Sequence, residues 1–576
     1  MAASSQAGFR VGGRGRQPVD MPSSDPDPRT IALPPREAAV RLARQRFGFD
    51  DLRPGQLEAI EAVMSRHDVL VVMPTGAGKS AIYQIAALLV PGSTVVVSPL
   101  IALQRDQVLA LRESGAVSAA AANSTVRAQQ RREALEGFAA GELELLFLAP
   151  EQLANPETLQ TLTATEVSML VIDEAHCISA WGHDFRPEYL RLGALADELG
   201  HPRMLALTAT AAPPVRAEIV ERLHMRDPVV LVRGFNRSNI RLGVRAVTED
   251  DAKVADLLDW VVETAKPGIV YVATKRQAVE LAHALTERGV AADPYHAGMK
   301  AAERKDVQRR FDEDELEAIV ATAAFGMGID KPNVRFVAHL HIPDSVDSYY
   351  QELGRAGRDG QPAEAILWYR SQDLGLRRFF AGGGKVDLEQ LERVAAVVRG
   401  SGGPVKVGAL QAATGLSATK LATALNRLSD AGAVELTPGG EVTSPAAASA
   451  PGEGARRALE AEEQHRSVEQ SRLEMIRAYA ETGGCRREYL LTYFGEPFQG
   501  PCGNCDNCLA GLAGKDGAGV EPFAIGSRVR HVQWGEGQVL RYEAEKVTVL
   551  FEEVGYRTLG LGLVLEQRLL ESAAPD

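Results

Sequence analysis

A chain of 576 residues is too long for one hydrophobic core and calls for three to five domains. Its 45% hydrophobic and 24% charged residues are those of ordinary globular protein, and no apolar run reaches the roughly 18 residues of a membrane helix. A formal charge of −13 argues against a protein coated in basic surface, though not against a local basic channel for nucleic acid.

Residues 1–35 are rich in Gly, Ser, Pro and Asp and read as a disordered tail. No basic stretch followed by an apolar core opens the chain, so a cytoplasmic, nucleoid-associated protein with no membrane partner is expected. Over 36–235, "DVLVVM", "STVVVSPL", "ELLFLAP", "SMLVIDE" and "RMLALTAT" alternate with helical patterns, which predicts an α/β lobe with a parallel sheet. Over 236–380, "GIVYVAT", "AADPYHA", "EAIVATAA", "RFVAHLHI" and "EAILWY" predict a second such lobe, with a cleft between the two.

The first lobe carries "VVMPTGAGKS". Thr75, Gly76, Ala77 and Gly78 form a loop whose backbone N–H groups can turn toward phosphate oxygens at a helix N-terminus. Lys79 would reach the β- and γ-phosphates of a nucleotide, and the Ser80 hydroxyl would bind Mg²⁺. Met73 stands where the strict phosphate-loop pattern has its first glycine, so the loop alone could equally be an ordinary Gly-rich turn. Asp173 and Glu174 change that balance. Two carboxylates ending a buried apolar strand are costly without a cation or a proton to meet them. Asp173 can hold Mg²⁺ and Glu174 can orient and deprotonate an attacking water.

Directly behind the acidic pair, "CISAWGHDFRPEY" crowds aromatic and Arg side chains together. Every base has a π-face, so Trp181, Phe185 and Arg186 can stack on single-stranded nucleic acid at ~1–3 kcal/mol per base. His183 could relay a bound strand to Glu174. The alternative is that these aromatics, with Tyr189, pack under the lobe. From the second lobe, "QELGRAGRDG" offers Gln351, Arg355 and Arg358 at helical-turn spacing, which would let both guanidinium groups face the cleft.

Residues 385–445 read as helices and a short hairpin, a winged-helix-like domain in which Lys420 and Arg427 would meet either a DNA backbone or a protein. "TSPAAASAPGEGA", at 443–455, reads as a linker. Over 456–512, a charged helix leads to Cys485, Cys502, Cys505 and Cys508, spaced C-x₁₆-C-x₂-C-x₂-C. Four thiolates at this spacing suit a closed, structural Zn²⁺ site, with an iron–sulfur cluster as the rival. Cys177 stands apart and reads as a small buried side chain. Residues 523–571 alternate apolar and polar positions around Gly turns, as a small SH3/Tudor-like β-barrel would.

Taken together, "FDDLRPGQLEAI", "SPLIALQRDQV", "VIDEAH", "TAT", "ATAAFGMGIDKPNVRFVAH", "QELGRAGRDG" and "CRREYLLTYFGE…CGNCDNC" resemble the motifs of superfamily-2 helicases, and specifically those of the RecQ family of ATP-dependent DNA helicases. The likeness covers about 40–370 and resumes over 456–509. It implies two RecA-like lobes that close on ATP and Mg²⁺, step 3′→5′ on single-stranded DNA and open tailed duplexes in repair or recombination. By the same resemblance Arg53 and Gln56 contact adenine, Thr208 and Thr210 couple the lobes, Asp330 lines the cleft, and the aromatic stretch senses DNA. Two features depart from the family: Ala180 replaces a usual Gln, and the winged-helix-like segment precedes the zinc module. The C-terminal barrel is similar to Tudor-like barrels of some superfamily-1 repair helicases that contact RNA polymerase, which would make that enzyme or another protein a partner. An RNA helicase, or a recruitment protein with a vestigial motor, remains the alternative function.

Overall fold

The computed structural model describes residues 34–179, 186–326, 331–375, 387–436, 441–445, 450–496, 498, 500–513, 521–543, 545–551 and 554–572. In the first lobe, short runs of β-branched and aliphatic residues form β1 (Val69–Val72), β2 (Ser93–Val97), β3 (Ala119–Ala122), β4 (Leu145–Leu148), β5 (Val167–Ile172), β6 (Arg203–Thr208) and β7 (Val229–Val232). All pair in parallel, in the order β3-β4-β2-β5-β6-β1-β7. Both faces are covered, as a parallel sheet requires. Val69, Val71, Met169 and Val171 pack into one apolar cluster, and their neighbours Leu70, Val72, Leu170 and Ile172 into another.

The second lobe repeats the plan with β8 (Ile240–Ala246), β9 (Gly268–Tyr271), β10 (Ala292–Tyr295), β11 (Ala318–Ala321), β12 (Phe336–His339) and β13 (Ala363–Tyr369). These strands are again all parallel, in the order β10-β11-β9-β12-β13-β8. Residues 233–239 link the lobes. Strands β3, β7 and β8 are additions to the expected sets.

Helices Leu388–Gly400, Val407–Thr414 and Ala418–Asp430 pack on a small antiparallel sheet of β14 (Val405–Lys406), β15 (Glu435–Leu436) and β16 (Glu441–Thr443). Leu410, Leu421, Leu425 and Leu428 fill its core, as their helical spacing predicts. The expected linker is shorter than its composition suggests: a 31-residue helix, Pro451–Glu481, starts within it. Ala455 and Ala458 of that helix close the same core, so apolar burial overrides the local Gly content. Arg427 is also corrected. It points inward to an ion pair with Glu462 of the long helix, whereas Lys420 is exposed.

At the C-terminus, β17 (Arg528–His531), β18 (Gly535–Glu543), β19 (Lys546–Phe551), β20 (Gly555–Gly560) and β21 (Leu570–Ser572) form an antiparallel sheet around Val529, Val539, Val549 and Phe551. Its order is β20-β19-β18-β17-β21, which leaves β20 and β21 as edges. Among the described residues no ladder closes the expected barrel, so the Tudor likeness and the RNA polymerase partner drawn from it are without support. No described helix is long and apolar enough to cross a membrane.

Candidate active site

The loop after β1 turns through Gly76 and Gly78, at φ +81° and +79°, before Gly78 caps the helix Lys79–Leu89. That conformation favours glycine, and space demands it too: a Cβ on Gly78 would lie 2.5 Å from Nε2 of Gln56. Gln56 donates to the carbonyls of Gly78 (2.8 Å) and Ala77 (3.2 Å) and accepts from the Arg53 N–H (2.7 Å). Arg53 itself donates to the Gly76 carbonyl. Both residues assigned to adenine by resemblance therefore brace the phosphate loop.

Lys79 Nζ donates to the Met73 carbonyl at 2.9 Å. Burial lowers its pKa, opposed by Glu174 and Asp173 and reinforced by Arg358, so one ammonium senses the acids and the arginine at once. Ser80 Oγ accepts from Gln107 Nε2 (3.2 Å), and Gln107 Oε1 in turn accepts from the Tyr83 hydroxyl (2.6 Å). Asp173, 9% exposed at the end of β5, accepts from Ser98 Oγ (3.2 Å) and the Glu174 N–H (3.0 Å). Burial raises its pKa, although Lys79 and these donors pull the other way. A buried, partly compensated carboxylate beside a hydroxyl and an ammonium fits a Mg²⁺–phosphate pair.

Glu174 adopts a left-handed backbone, φ 49° and ψ 46°, an uncommon strain for a non-glycine residue at a functional position. Its carboxylate lies 3.4 Å from Nδ1 of His176, which is itself 2.9 Å from Thr208 Oγ1. Thr208 Oγ1 donates to the Thr210 carbonyl at 3.1 Å. His176 thus joins the acidic pair to the "TAT" loop. Sequence reasoning missed both His176 and Gln107, because their roles arise from contacts with distant strands and helices.

Across the cleft, the helix Val346–Leu353 carries half-buried Gln351 but ends before either arginine. Their placement is set by the turn at 354–360, which corrects the helical-spacing argument. Arg358 packs on the phosphate loop, its Cδ 3.3 Å from where a Cβ on Gly76 would be. Arg355, 3% exposed, lies instead beside Gly326 within the second lobe. Between the lobes opens a cleft of about 330 Å³ lined by Arg53, Gly76, Arg233, Arg237, Gly357 and Arg358.

Trp181, His183, Phe185 and Asp330 lie outside the described residues. At the near end of the aromatic stretch, half-buried Arg186 donates its backbone N–H to the Cys177 carbonyl at 2.8 Å. Tyr189 is fully buried and its hydroxyl donates to the Asp173 carbonyl at 3.0 Å. The described ends of the stretch, at Cys177 and Tyr189, are therefore anchored in the core beside the acidic pair.

The sulfurs of Cys485, Cys502, Cys505 and Cys508 all lie within 4.8 Å of one another. Cys502 and Cys505 accept backbone N–H bonds from Asn504 and Cys508, each at 3.4 Å. The hydrogen bond from Cys485 holds the Cys505 thiol down, to about 4, while that same bond and burial push Cys485 up. Four converging sulfurs, one of them already disposed to be a thiolate, fit Zn²⁺.

Residues 53–218 match the family described as DEAD/DEAH box helicase, and residues 252–360 the helicase conserved C-terminal domain. Paired parallel-sheet lobes with these matches define a superfamily-2 helicase. Residues 452–509 match RecQ zinc-binding, and the chain belongs to the RecQ family. It is 39% identical to the probable ATP-dependent DNA helicase RecS of Bacillus subtilis, over 62% of this chain and 71% of that protein. It is 36% identical to the ATP-dependent DNA helicase RecQ of Pasteurella multocida over 83% of this chain, and 44% identical to that of B. subtilis over 59%. The chain spans only 63% and 58% of the length of those two relatives. Among solved structures, the DUF1998 helicase MrfA bound to DNA shares the fold, with a TM-score of 0.50 at 16% identity over 72% of this chain and 63% of that one.

Proposed function

We propose that the chain is an ATP-dependent DNA helicase that couples nucleotide hydrolysis to 3′→5′ movement on single-stranded DNA and so opens tailed duplexes. The observation that carries this reading is the contact between Arg358 of the second lobe and Gly76 of the phosphate loop, on the side that holds Lys79, Asp173 and Glu174. In this reading residues 36–235 are the ATP-binding lobe and 236–380 its closing partner. Arg53 and Gln56 meet the base, and Thr75–Ser80 hold the phosphates. Mg²⁺, when bound by Ser80 and Asp173, neutralises charge on the phosphates. Glu174 orients and deprotonates the attacking water, with its strained backbone and His176 fixing the carboxylate. Arg358 stabilises charge on the transferring phosphoryl group, a role worth ~10³–10⁵ in rate, Arg355 and Gln351 join it as the lobes close on ATP, and Asp330 lines the cleft near ribose or phosphate.

Trp181, His183, Phe185 and Arg186 form the DNA-sensing stretch. Its anchor, Tyr189 on the Asp173 carbonyl, supports a direct path from bound strand to metal-binding acid, while His176 supports a second path to Thr208 and Thr210. Zn²⁺ held by Cys485, Cys502, Cys505 and Cys508 is structural. ATP hydrolysis measured with single-stranded DNA, with RNA and with neither should rise with DNA, and Lys79→Ala should abolish it. Strand displacement should proceed on 3′-tailed but not 5′-tailed duplexes. Equal stimulation by RNA would overturn the DNA assignment.

A further inference from the structure

Arg237, on the linker between the lobes and in the wall of the cleft, lies outside the motifs that define the site, yet its guanidinium group makes three hydrogen bonds to one of them. Nη1 donates to the Gly354 carbonyl at 3.0 Å, and Nη2 donates to those of Ala356 (2.7 Å) and Gly357 (3.0 Å). Those three carbonyls bracket Arg355 and immediately precede Arg358. Asn239, two residues on, adds Nδ2 bonds to the Gly357 carbonyl (2.8 Å) and the Gln361 carbonyl (2.9 Å). Gly357 has φ +54°, and a Cβ there would collide with Asn239, so the turn and the linker are fitted to each other.

We propose that Arg237 is a positioning residue: it fixes the turn at 354–357 and so sets Arg358 against the phosphate loop and Arg355 beside Gly326 in the second lobe. Beyond the helix Val346–Leu353 the ladder tails off into turn bonds, Arg355 N–H to the Glu352 carbonyl (3.2 Å) and Ala356 N–H to the Leu353 carbonyl (3.0 Å), before the Gly357 N–H leaves it for the Val334 carbonyl (2.8 Å), so the carbonyls of the turn are held from outside the helix. A planar fork meeting three carbonyls at once supplies the rigidity that a flexible ammonium cannot.

The support continues into the zinc module. Arg487, two residues after Cys485, donates to the Arg237 carbonyl, to Asn236 Oδ1 (3.1 Å) and to the Ile240 carbonyl (2.6 Å). Phe235 of the linker stacks on Phe494 of the module, with centroids 4.5 Å apart, and Tyr350 packs against both. The linker is thus clamped between the zinc module and the arginine turn.

This inference rests on the proposed ATP hydrolysis, and its test separates the two. Arg237→Ala and Arg237→Lys should each lower DNA-stimulated kcat about 10²-fold, the cost of reacting groups displaced by about 1 Å. KM for ATP and zinc per chain should stay at their unsubstituted values, Tm should fall because three carbonyls lose their donor, and Lys should fail to rescue kcat. Arg487→Ala, which removes the bond to the Arg237 carbonyl together with those to Asn236 and Ile240 while leaving the Arg237 fork in place, should lower kcat in the same direction by less, and it decides the matter if the Arg237 variants do not fold. Full kcat in the folded variants overturns the inference, as does a raised KM with kcat intact, which would make Arg237 a nucleotide contact. If the unsubstituted protein shows no DNA-stimulated hydrolysis, the functional reading falls as well.

Discussion

Lys253 has no exposed surface and meets Asp373, 3% exposed at the side chain, in an ion pair inside the second lobe. Arg370 Nε donates to the same carboxylate at 3.0 Å, and His341 Nδ1 stands 3.6 Å away. Burial alone would raise the Asp373 pKa, but hydrogen bonds from His341 and Lys253 hold it well below the usual carboxylate range. Removing one partner leaves a buried charge uncompensated, so Asp373→Asn should cost about 3–5 kcal/mol, read as a fall in Tm, whereas Lys253→Met with Asp373→Leu should recover most of it. His341 titrates differently. Burial lowers its pKa, outweighing Asp373, with Lys253 adding to the decrease. The unfolded chain then takes up a proton near pH 6.5 that the folded state refuses, so this histidine's contribution is present above about 6.5 and lost as pH falls. Tm measured from pH 7.5 to 5.5 should decline less in His341→Gln than in the unsubstituted protein. Residues of this kind mark what sequence reading can reach. Lys79, Asp173 and Glu174 announce themselves because their chemistry is written into short runs. His176, Gln107 and Lys253 do not, because Thr208, Ser80 and Asp373, the partners that give them their roles, are 27 or more positions away and meet them only in the fold.

Secondary structure shows the same division. Five strands in each lobe are legible as apolar runs bounded by turns. Strand β3 is four alanines, a residue depleted in strands, and it is held there by its parallel register with β4, Ala119 opposite Leu145. Strand β8 contains Gly243, which reads as a breaker but marks a close approach: a Cβ there would lie 2.8 Å from Ile366 Cδ1. As an edge strand β8 also needs cover, which the zinc module supplies through the Val244 N–H on Asp506 (2.8 Å) and the Leu242 N–H on the Asn504 carbonyl (3.3 Å). The helix Ala418–Asp430 gives the sharpest test at this scale. The sequence sets Arg427 against either a DNA backbone or a protein, but its half-buried guanidinium pairs with Glu462, whose carboxylate is 10% exposed. Arg427→Ala should therefore destabilise the winged-helix-like domain by about 1–3 kcal/mol in thermal unfolding. DNA affinity and its dependence on salt should not change, because no phosphate contact has been removed. A shallower salt slope in that variant would put Arg427 back on the DNA side.

Across the whole molecule, one apolar cluster runs from β5 of the first lobe through β9 and β12 of the second to Tyr489 and Phe494, and on to Tyr556 of β20. Polar contacts follow the same route. Arg216, behind the "TAT" loop, donates from Nε to the Ala211 carbonyl (3.0 Å) and from Nη2 to the Phe494 carbonyl (2.5 Å), so the first lobe too rests on the zinc module. Burial lowers the Arg216 pKa only to about 10, leaving it charged at neutral pH. The C-terminal sheet is carried by the module as well: Arg541 lies 3.9 Å over the Tyr489 ring, and Tyr493 stacks on Tyr556. Metal at the four cysteines therefore stabilises far more than its own loop. Cys505→Ser, or chelation, should release one zinc per chain and lower Tm. Hydrogen exchange should quicken in β8, in the linker at 233–239 and in β18–β19, while β1, β5 and β6 keep their protection, because their ladders are internal to the first lobe. ATP binding should survive and DNA-stimulated kcat should fall, since Lys79 stays in place while the arginine turn loses its backing. Exchange unchanged at β8 after the zinc has left would mean that the module docks without its metal, and that the ion serves only its own four ligands.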